Sequence, residues 1–129
     1  IQSLRSYGYS IGMAFQIMDD VLDFEGNSDH IGKPVGSDLC NGVLTLPSIT
    51  FLEKYPDNNP VRKWFSDARD SEQLKLAIDM IMNSDAIADC YCVIQKHCAS
   101  AQESLRELPK GPSTESLNLL TEYIMSRTK

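Results

Sequence analysis

Long hydrophobic runs are missing from this sequence of 129 residues. A helix that spans a bilayer needs roughly 20 consecutive apolar residues, and no segment approaches that length. The first residues do not resemble the basic, apolar leader of a secreted protein either. Apolar content is typical of a soluble globular protein, and the length is that of one domain. We therefore expect a cytoplasmic protein.

Positive charge is scarce. Twelve Lys and Arg stand against 18 Asp and Glu, for a net charge of −6. Because no stripe of basic residues is present to neutralise phosphates, we expect no nucleic-acid partner. A local anion site is still compatible with this charge, since carboxylates can recruit metal ions that hold an anion.

The four cysteines contain no CxxC pair, the usual spacing of a zinc site. Cys90 and Cys92 would point to different faces of a helix. We therefore predict free, buried thiols in a reducing compartment.

Strand-like alternation and internal repeats are also missing, whereas apolar residues recur at three- and four-residue steps. This spacing predicts helices over 1–24, 44–55, 61–68, 71–82, 84 or 85 to 108, and from 113 or 114 onward, with a loop over 25–37. Thr45, Ser71 and either Ser84 or Asp85 are predicted N-caps. The sequence therefore predicts an all-α fold.

Several of these helices have a predicted apolar stripe. In the first helix it contains Ile1, Leu4, Gly8, Ile11, Phe15, Met18 and Leu22, and we expect the face bearing Ile11, Phe15 and Met18 to need cover from another chain or from self-association. In later helices the residues predicted to be buried are Leu46, Ile49, Phe51 and Leu52, then Leu117, Leu120, Tyr123 and Ile124. The residues 55–60 are expected to form an exposed connection, and His97 to be structural.

Three carboxylates, Asp19, Asp20 and Asp23, end the first predicted helix. Residues four apart on a helix are neighbours, with Cβ atoms roughly 5–6 Å apart, so Asp19 and Asp23 share a face. Like charges at this spacing destabilise a helix, and acidic residues in its last turn oppose the helix dipole. A bound cation would offset both costs, and clustered carboxylate oxygens suit Mg²⁺. The alternative interpretation is a solvated acidic face.

Residues downstream of the three aspartates favour the interpretation that the aspartates bind a cation. The chain carries the pattern GxxFQxxDDxxD followed by GKxxGxDLxxGxxTLP, formed by Gly12, Phe15, Gln16, Asp19, Asp20, Asp23, Gly32, Lys33, Gly36, Asp38, Leu39, Gly42, Thr45, Leu46 and Pro47. In this order and spacing, the sequence resembles the trans-isoprenyl diphosphate synthases, or polyprenyl synthetases, around their second aspartate-rich motif.

The resemblance implies the isoprenoid synthase fold, a large bundle of antiparallel helices around a deep cavity. Asp19, Asp20 and Asp23 would then bind Mg²⁺, and Lys33 would contact the substrate diphosphate. Asp38 would support the metal shell, and Phe15 and Gln16 would lie in the substrate site. The implied substrates are an allylic diphosphate and isopentenyl diphosphate. The resemblance further implies a homodimeric full-length enzyme and a product able to associate peripherally with membranes.

We expect only one of the family's two aspartate-rich motifs in this chain, because the first motif has no counterpart in residues 1–129. We therefore predict the C-terminal portion of a single synthase domain, inactive by itself. Val43 replaces a lysine found in many short-chain relatives, and the GKPVGSDL form favours a medium- or long-chain enzyme. The competing hypotheses are a non-catalytic helical regulatory subunit and a terpene cyclase.

Overall fold

The protein was analysed as a computed structural model, which describes residues 1–25, 35–57, 59–66 and 70–126. All regular elements in these residues are helices: α1 (Gln2–Glu25), α2 (Ser37–Cys40), α3 (Leu46–Lys54), α4 (Pro60–Ser66), α5 (Ser71–Met82), α6 (Ala86–Leu105) and α7 (Pro112–Ser126). The predicted all-α class is confirmed. The one-turn helix α2 was not predicted; it overlaps the predicted loop over 25–37 only at Ser37, and most of that loop lies outside the described residues. None of the described helices has the length and apolar character needed to cross a membrane.

Helix starts differ slightly from their predicted caps. Asp70, rather than Ser71, caps α5, and its carboxylate accepts a hydrogen bond from the Glu72 amide at 2.9 Å. At α6 the Ser84 hydroxyl accepts from the Ala86 amide at 3.2 Å. Thr45 has the extended backbone of an N-cap, but its side chain makes no capping hydrogen bond. Short polar side chains one residue apart compete for the same amides, so sequence alone locates a cap only approximately.

The chain divides into two compact units, of which the first comprises Ile1–Met18 and Tyr91–Lys129. Its core contains the buried side chains of Tyr7, Ala101 and Leu105. The Tyr7 hydroxyl also donates to the Leu117 carbonyl at 2.7 Å, which joins α1 to α7. The His97 ring lies edge-on to Tyr9 with centroids 6.4 Å apart, a contact consistent with a structural role.

The second unit comprises Asp19–Cys90. Its largest buried side chains include Phe24, Leu39, Phe51, Val61, Trp64 and Ile81. Asn59 is also buried: its amide donates to the Tyr55 carbonyl at 2.7 Å and its Oδ1 accepts from the Val61 amide at 2.8 Å. The expectation of a fully exposed connection over 55–60 is therefore wrong at Asn59 and Pro60, which are held at the start of α4.

Three of the larger side chains in the apolar stripe of α1 are exposed: Ile1, Leu4 and Phe15, at 97%, 49% and 46%. Met18, which we expected to need cover from outside the chain, is instead fully buried within it. The face that is buried carries Tyr7, Ser10, Ala14, Ile17, Met18, Val21 and Phe24. Apolar residues occupy both faces of α1, so periodicity cannot choose between them. In the same way Ile49, Leu120 and Tyr123, predicted to be buried, are exposed.

The four cysteines are free, but only Cys90 and Cys98 are buried; the prediction of buried thiols is wrong for Cys40 and Cys92, which are exposed. Burial is the main reason that the pKa of Cys90 rises to about 11, with the charges of Asp89 and Asp20 adding to it. Burial also raises the pKa of Cys98.

Because the thiolate is the reactive form, iodoacetamide at pH 8 should label Cys40 and Cys92 in the folded chain and leave Cys90 and Cys98 unmodified. Peptide mapping by mass spectrometry measures this, with the denatured chain as the control in which all four react. Labelling of Cys90 at the rate of Cys92 in the folded chain would contradict its burial.

Candidate active site

The acidic end of α1 presents its three carboxylates differently. Asp19 is exposed, Asp20 is half-buried and Asp23 is buried. Asp19 and Asp23 lie one turn apart on a continuous helix, as the sequence predicts. Their surroundings therefore differ although their spacing on the helix is regular.

Asp23 is engaged on both of its carboxylate oxygens. Oδ1 accepts a hydrogen bond from the Ser37 hydroxyl at 2.7 Å, and Oδ2 accepts from the Asp38 amide at 3.2 Å. The Asp23 carbonyl accepts from the Gly36 amide at 2.9 Å. A single residue of α1 therefore contacts three consecutive residues at the start of α2.

Helix α2 is also held at its other end. The indole Nε1 of Trp64 donates to the Leu39 carbonyl at 3.0 Å, and the Leu39 side chain is completely buried. The Gly42 amide donates to the same carbonyl, and Gly42 takes a φ of 79°. Both ends of this single turn are thereby fixed within the second unit, and the half-buried Asp38 with them.

These contacts bear on the energetic cost of the acidic cluster at the end of α1. A carboxylate near the C-terminal end of α1 is unfavourable by itself, but Asp23 also lies at the N-terminal end of α2, where a negative charge is favourable. The cost of its position is therefore offset within the protein. Ser37, Gly36 and Trp64 were not recognised from sequence as parts of this arrangement. The Gly-Ser-Asp order, with residues that favour helix starts, was the available signal for α2.

The other predicted site residues are placed as follows. Phe15 and Gln16 are exposed and lie about one turn before Asp19 on α1. Lys33 lies outside the described residues.

The donor set fits a hard cation in part. Within the described residues, no group of three or more His, Cys, Asp or Glu side chains is arranged to hold a metal ion. Asp19 and Asp20 nevertheless supply carboxylate oxygens, and Mg²⁺ in phosphate-binding sites is commonly held by one or two carboxylates together with substrate phosphates and water. Asp23 has remaining lone pairs but already accepts two hydrogen bonds. These residues therefore suit an ion that arrives with, or is completed by, a diphosphate.

Comparison with known proteins shows the family of the chain. Residues 1–81 match the sequence model of the polyprenyl synthetase family. The chain is 36% identical over 126 residues to heptaprenyl diphosphate synthase component 2 of Bacillus subtilis, covering 98% of the chain and 36% of that protein. It is 33% identical to a probable mitochondrial hexaprenyl pyrophosphate synthase of Yarrowia lipolytica, covering 100% of the chain and 28% of that protein.

Among solved structures, heptaprenyl diphosphate synthase from Staphylococcus aureus superposes with a TM-score of 0.89 at 38% identity. The alignment covers 99% of the chain and 40% of that structure. The helices and the carboxylate-rich end of α1 thus define an all-α protein of the isoprenoid synthase fold. More narrowly, the chain belongs to the polyprenyl synthetase family. It spans well under half the length of these relatives.

Proposed function

We propose that this chain is part of a trans-prenyltransferase that joins isopentenyl diphosphate to an allylic diphosphate in a Mg²⁺-dependent 1′-4 condensation. The observation that carries the proposal is the carboxylate-rich end of α1, where the two more accessible aspartates, Asp19 and Asp20, lie within about one turn of Asp23, which holds the turn bearing Asp38. Family membership supports the substrate class, since the relatives named above are polyprenyl diphosphate synthases.

Each predicted residue has a role in this proposal. Asp19 and Asp20 hold Mg²⁺ at the diphosphate, with Asp23 predicted from sequence as a third ligand. Lys33 contacts the same diphosphate, and Asp38 orients water or metal ligands. Phe15 and Gln16 line the substrate site one turn earlier. Bound Mg²⁺ supplies positive charge that stabilises the departing diphosphate.

The reaction exchanges one bond for another at a single carbon. The C1–O bond of the allylic substrate breaks, and its electron pair leaves with the diphosphate. The double bond of isopentenyl diphosphate supplies the pair for the new C–C bond. The new bond leaves a cationic carbon in the isopentenyl unit. A proton then passes from the carbon next to that cationic carbon to a basic oxygen of the released diphosphate, and this loss restores a double bond. Orientation and charge stabilisation are the protein's main contributions.

Several finer features belong to the same proposal. Val43 and the GKPVGSDL form support a medium- or long-chain product, as do the heptaprenyl and hexaprenyl names of the relatives. We also propose a homodimeric full-length enzyme, a cytoplasmic location and a product that associates with membranes. That residues 1–129 form the C-terminal portion of a single domain stays a prediction.

The competing functions are less well supported. The second metal motif of a terpene cyclase usually mixes Asn, Ser or Thr with Glu, which residues 19–23 do not. A non-catalytic regulatory subunit would have no need for exposed acidic residues at the end of α1. The two alternatives predict no condensation of isopentenyl diphosphate by any longer protein that contains this chain.

Residues 1–129 alone are expected to show no prenyltransferase activity, weak Mg²⁺ binding and self-association. The expected self-association rests on the α1 face bearing Ile11, Phe15 and Met18, because soluble monomers rarely tolerate contiguous apolar patches. Phe15 is exposed and Ile11 half-buried, whereas Met18 is buried within the chain. The measurement pairs light scattering with an assay of isopentenyl diphosphate and an allylic primer, using the full-length protein as the positive control. An inactive full-length protein would refute the proposed function, and a monomeric, active 129-residue chain would refute the expectation for the chain.

A further inference from the structure

We propose that Asp23 is a positioning residue, which fixes α2 and thereby Asp38 against the end of α1, while Asp19 and Asp20 hold the ion. The role of Asp38 in this proposal rests on the proposed function. The geometry of Asp23 stands independently of that function, and it can be tested without metal or substrate.

Helix α2 has no cap of its own. The residue at its N-cap position is Gly36, which has no side chain to accept a hydrogen bond from the first amides of the helix. A larger residue would be strained at this position, because Gly36 has a φ of +75° and an added Cβ would lie 2.5 Å from Ile78 Cδ1 unless Ile78 moved. The first amides of α2 therefore need another acceptor, either water or a group from elsewhere in the chain.

Asp23 is that group. Its carboxylate accepts from the Asp38 amide at 3.2 Å, as a capping side chain would, and from the Ser37 hydroxyl at 2.7 Å. Its carbonyl accepts from the Gly36 amide at 2.9 Å. Because Asp23 is only 9% exposed, loss of its carboxylate would leave buried polar groups without these partners.

The engagement of Asp23 also separates it from its neighbours on α1. Asp19, one turn earlier, is exposed, whereas both oxygens of Asp23 are directed to α2. Both carboxylate oxygens of Asp23 have hydrogen-bond partners within the protein, so its presence requires no cation. Sequence spacing alone makes the two residues equivalent, and the hydrogen bonds distinguish them.

Amide hydrogen exchange on the metal-free chain tests the structural part of the proposal, namely that Asp23 fixes α2. Asp23→Ala should accelerate exchange at the Asp38 amide by about tenfold or more, as expected when a hydrogen bond to a charged acceptor is lost. Asp23→Asn should restore the protection, because its Oδ1 accepts from that amide and its Nδ2 donates to the Ser37 hydroxyl. The matched control Asp19→Ala should stay within about twofold of wild type.

If Asp23→Ala does not fold, Ser37→Ala replaces it. This change removes one contact to Asp23 and should produce a smaller acceleration at the same amide. Unchanged exchange in Ser37→Ala and in any folded Asp23→Ala, or equal acceleration by Asp19→Ala, would overturn the positioning role.

Steady-state kinetics of the full-length protein test the functional half. Ser37→Ala should raise KM for the allylic diphosphate, while Asp23→Asn should keep the half-saturating Mg²⁺ concentration within about twofold. A rise in that concentration of about tenfold or more for Asp23→Asn would identify it as a metal ligand and overturn the proposal. If wild type shows no turnover, the proposed function fails, and the exchange measurements still decide whether Asp23 positions α2.

Discussion

Asp19→Asn in the full-length protein is expected to lower turnover by about 100-fold or more, the size of loss seen when one electrostatic group at a reacting centre is removed. Asp19 is the most accessible of the three aspartates near the end of α1, with Asp20 beside it. Replacing one of its oxygens by an amide nitrogen leaves a poorer ligand for a hard cation. The measurement is Mg²⁺-dependent condensation of isopentenyl diphosphate with an allylic primer.

The stability of Asp19→Asn should change much less than its turnover. Without metal, the free energy of unfolding of Asp19→Asn should stay within about 0.5 kcal/mol of wild type or rise slightly, because the substitution relieves like-charge repulsion on α1. Glu25→Gln is a matched control, since it removes one negative charge from an exposed residue of the same helix outside the aspartate motif. Turnover of Asp19→Asn equal to that of Glu25→Gln would end the assignment of Asp19 as a metal ligand.

Gly36→Ala is expected to destabilise the chain by about 2–4 kcal/mol. Part of this cost is the left-handed backbone, since φ is +75° and an L side chain there is strained. The remainder is steric: the new Cβ would lie 2.5 Å from Cδ1 and 2.7 Å from Cγ1 of Ile78, so Ile78 must change rotamer or α5 must shift. Urea unfolding followed by circular dichroism measures the change.

Two variants make this measurement specific. Gly8→Ala is the control, because an added Cβ meets nothing within 4 Å in the middle of α1, and alanine should stabilise a helix there by about 0.8–1.0 kcal/mol. Combining Gly36→Ala with Ile78→Ala should remove the steric part of the cost and leave the backbone part. Equal stability of Gly36→Ala and Gly8→Ala would contradict the backbone conformation at Gly36.

Much of the secondary structure could be predicted from the sequence. The bounds of α5 match the predicted ones, and residues 106–111, which include Pro109 and Gly111, separate α6 from α7 near the predicted break after residue 108. These successes come from local signals, namely apolar periodicity within a helix and residues that cannot continue one. Helix α2 was missed because a single turn is too short for periodicity, and its first amides are satisfied by Asp23, 13 to 15 residues earlier in the chain.

The sequence predicts candidate site residues but not the contacts that each of them makes. The motif spacing puts Asp19 and Asp23 on one face of α1, and the helix has that geometry. Spacing says nothing about what approaches each side chain. The Ser37 hydroxyl and the Asp38 amide contact Asp23 and bury it, while Asp19 stays exposed.

The sequence by itself determined that this is a chain of helices with an acidic helix end and the motif of a polyprenyl synthetase. Those properties depend on residues close together along the chain, where spacing dictates geometry. The tertiary structure alone decided which face of α1 is buried, with Tyr7 and Ala14 rather than Leu4 and Phe15, and that Asp23 caps α2. Both depend on contacts between residues distant in sequence, and an apolar or acidic pattern on one helix does not specify which segment packs against it.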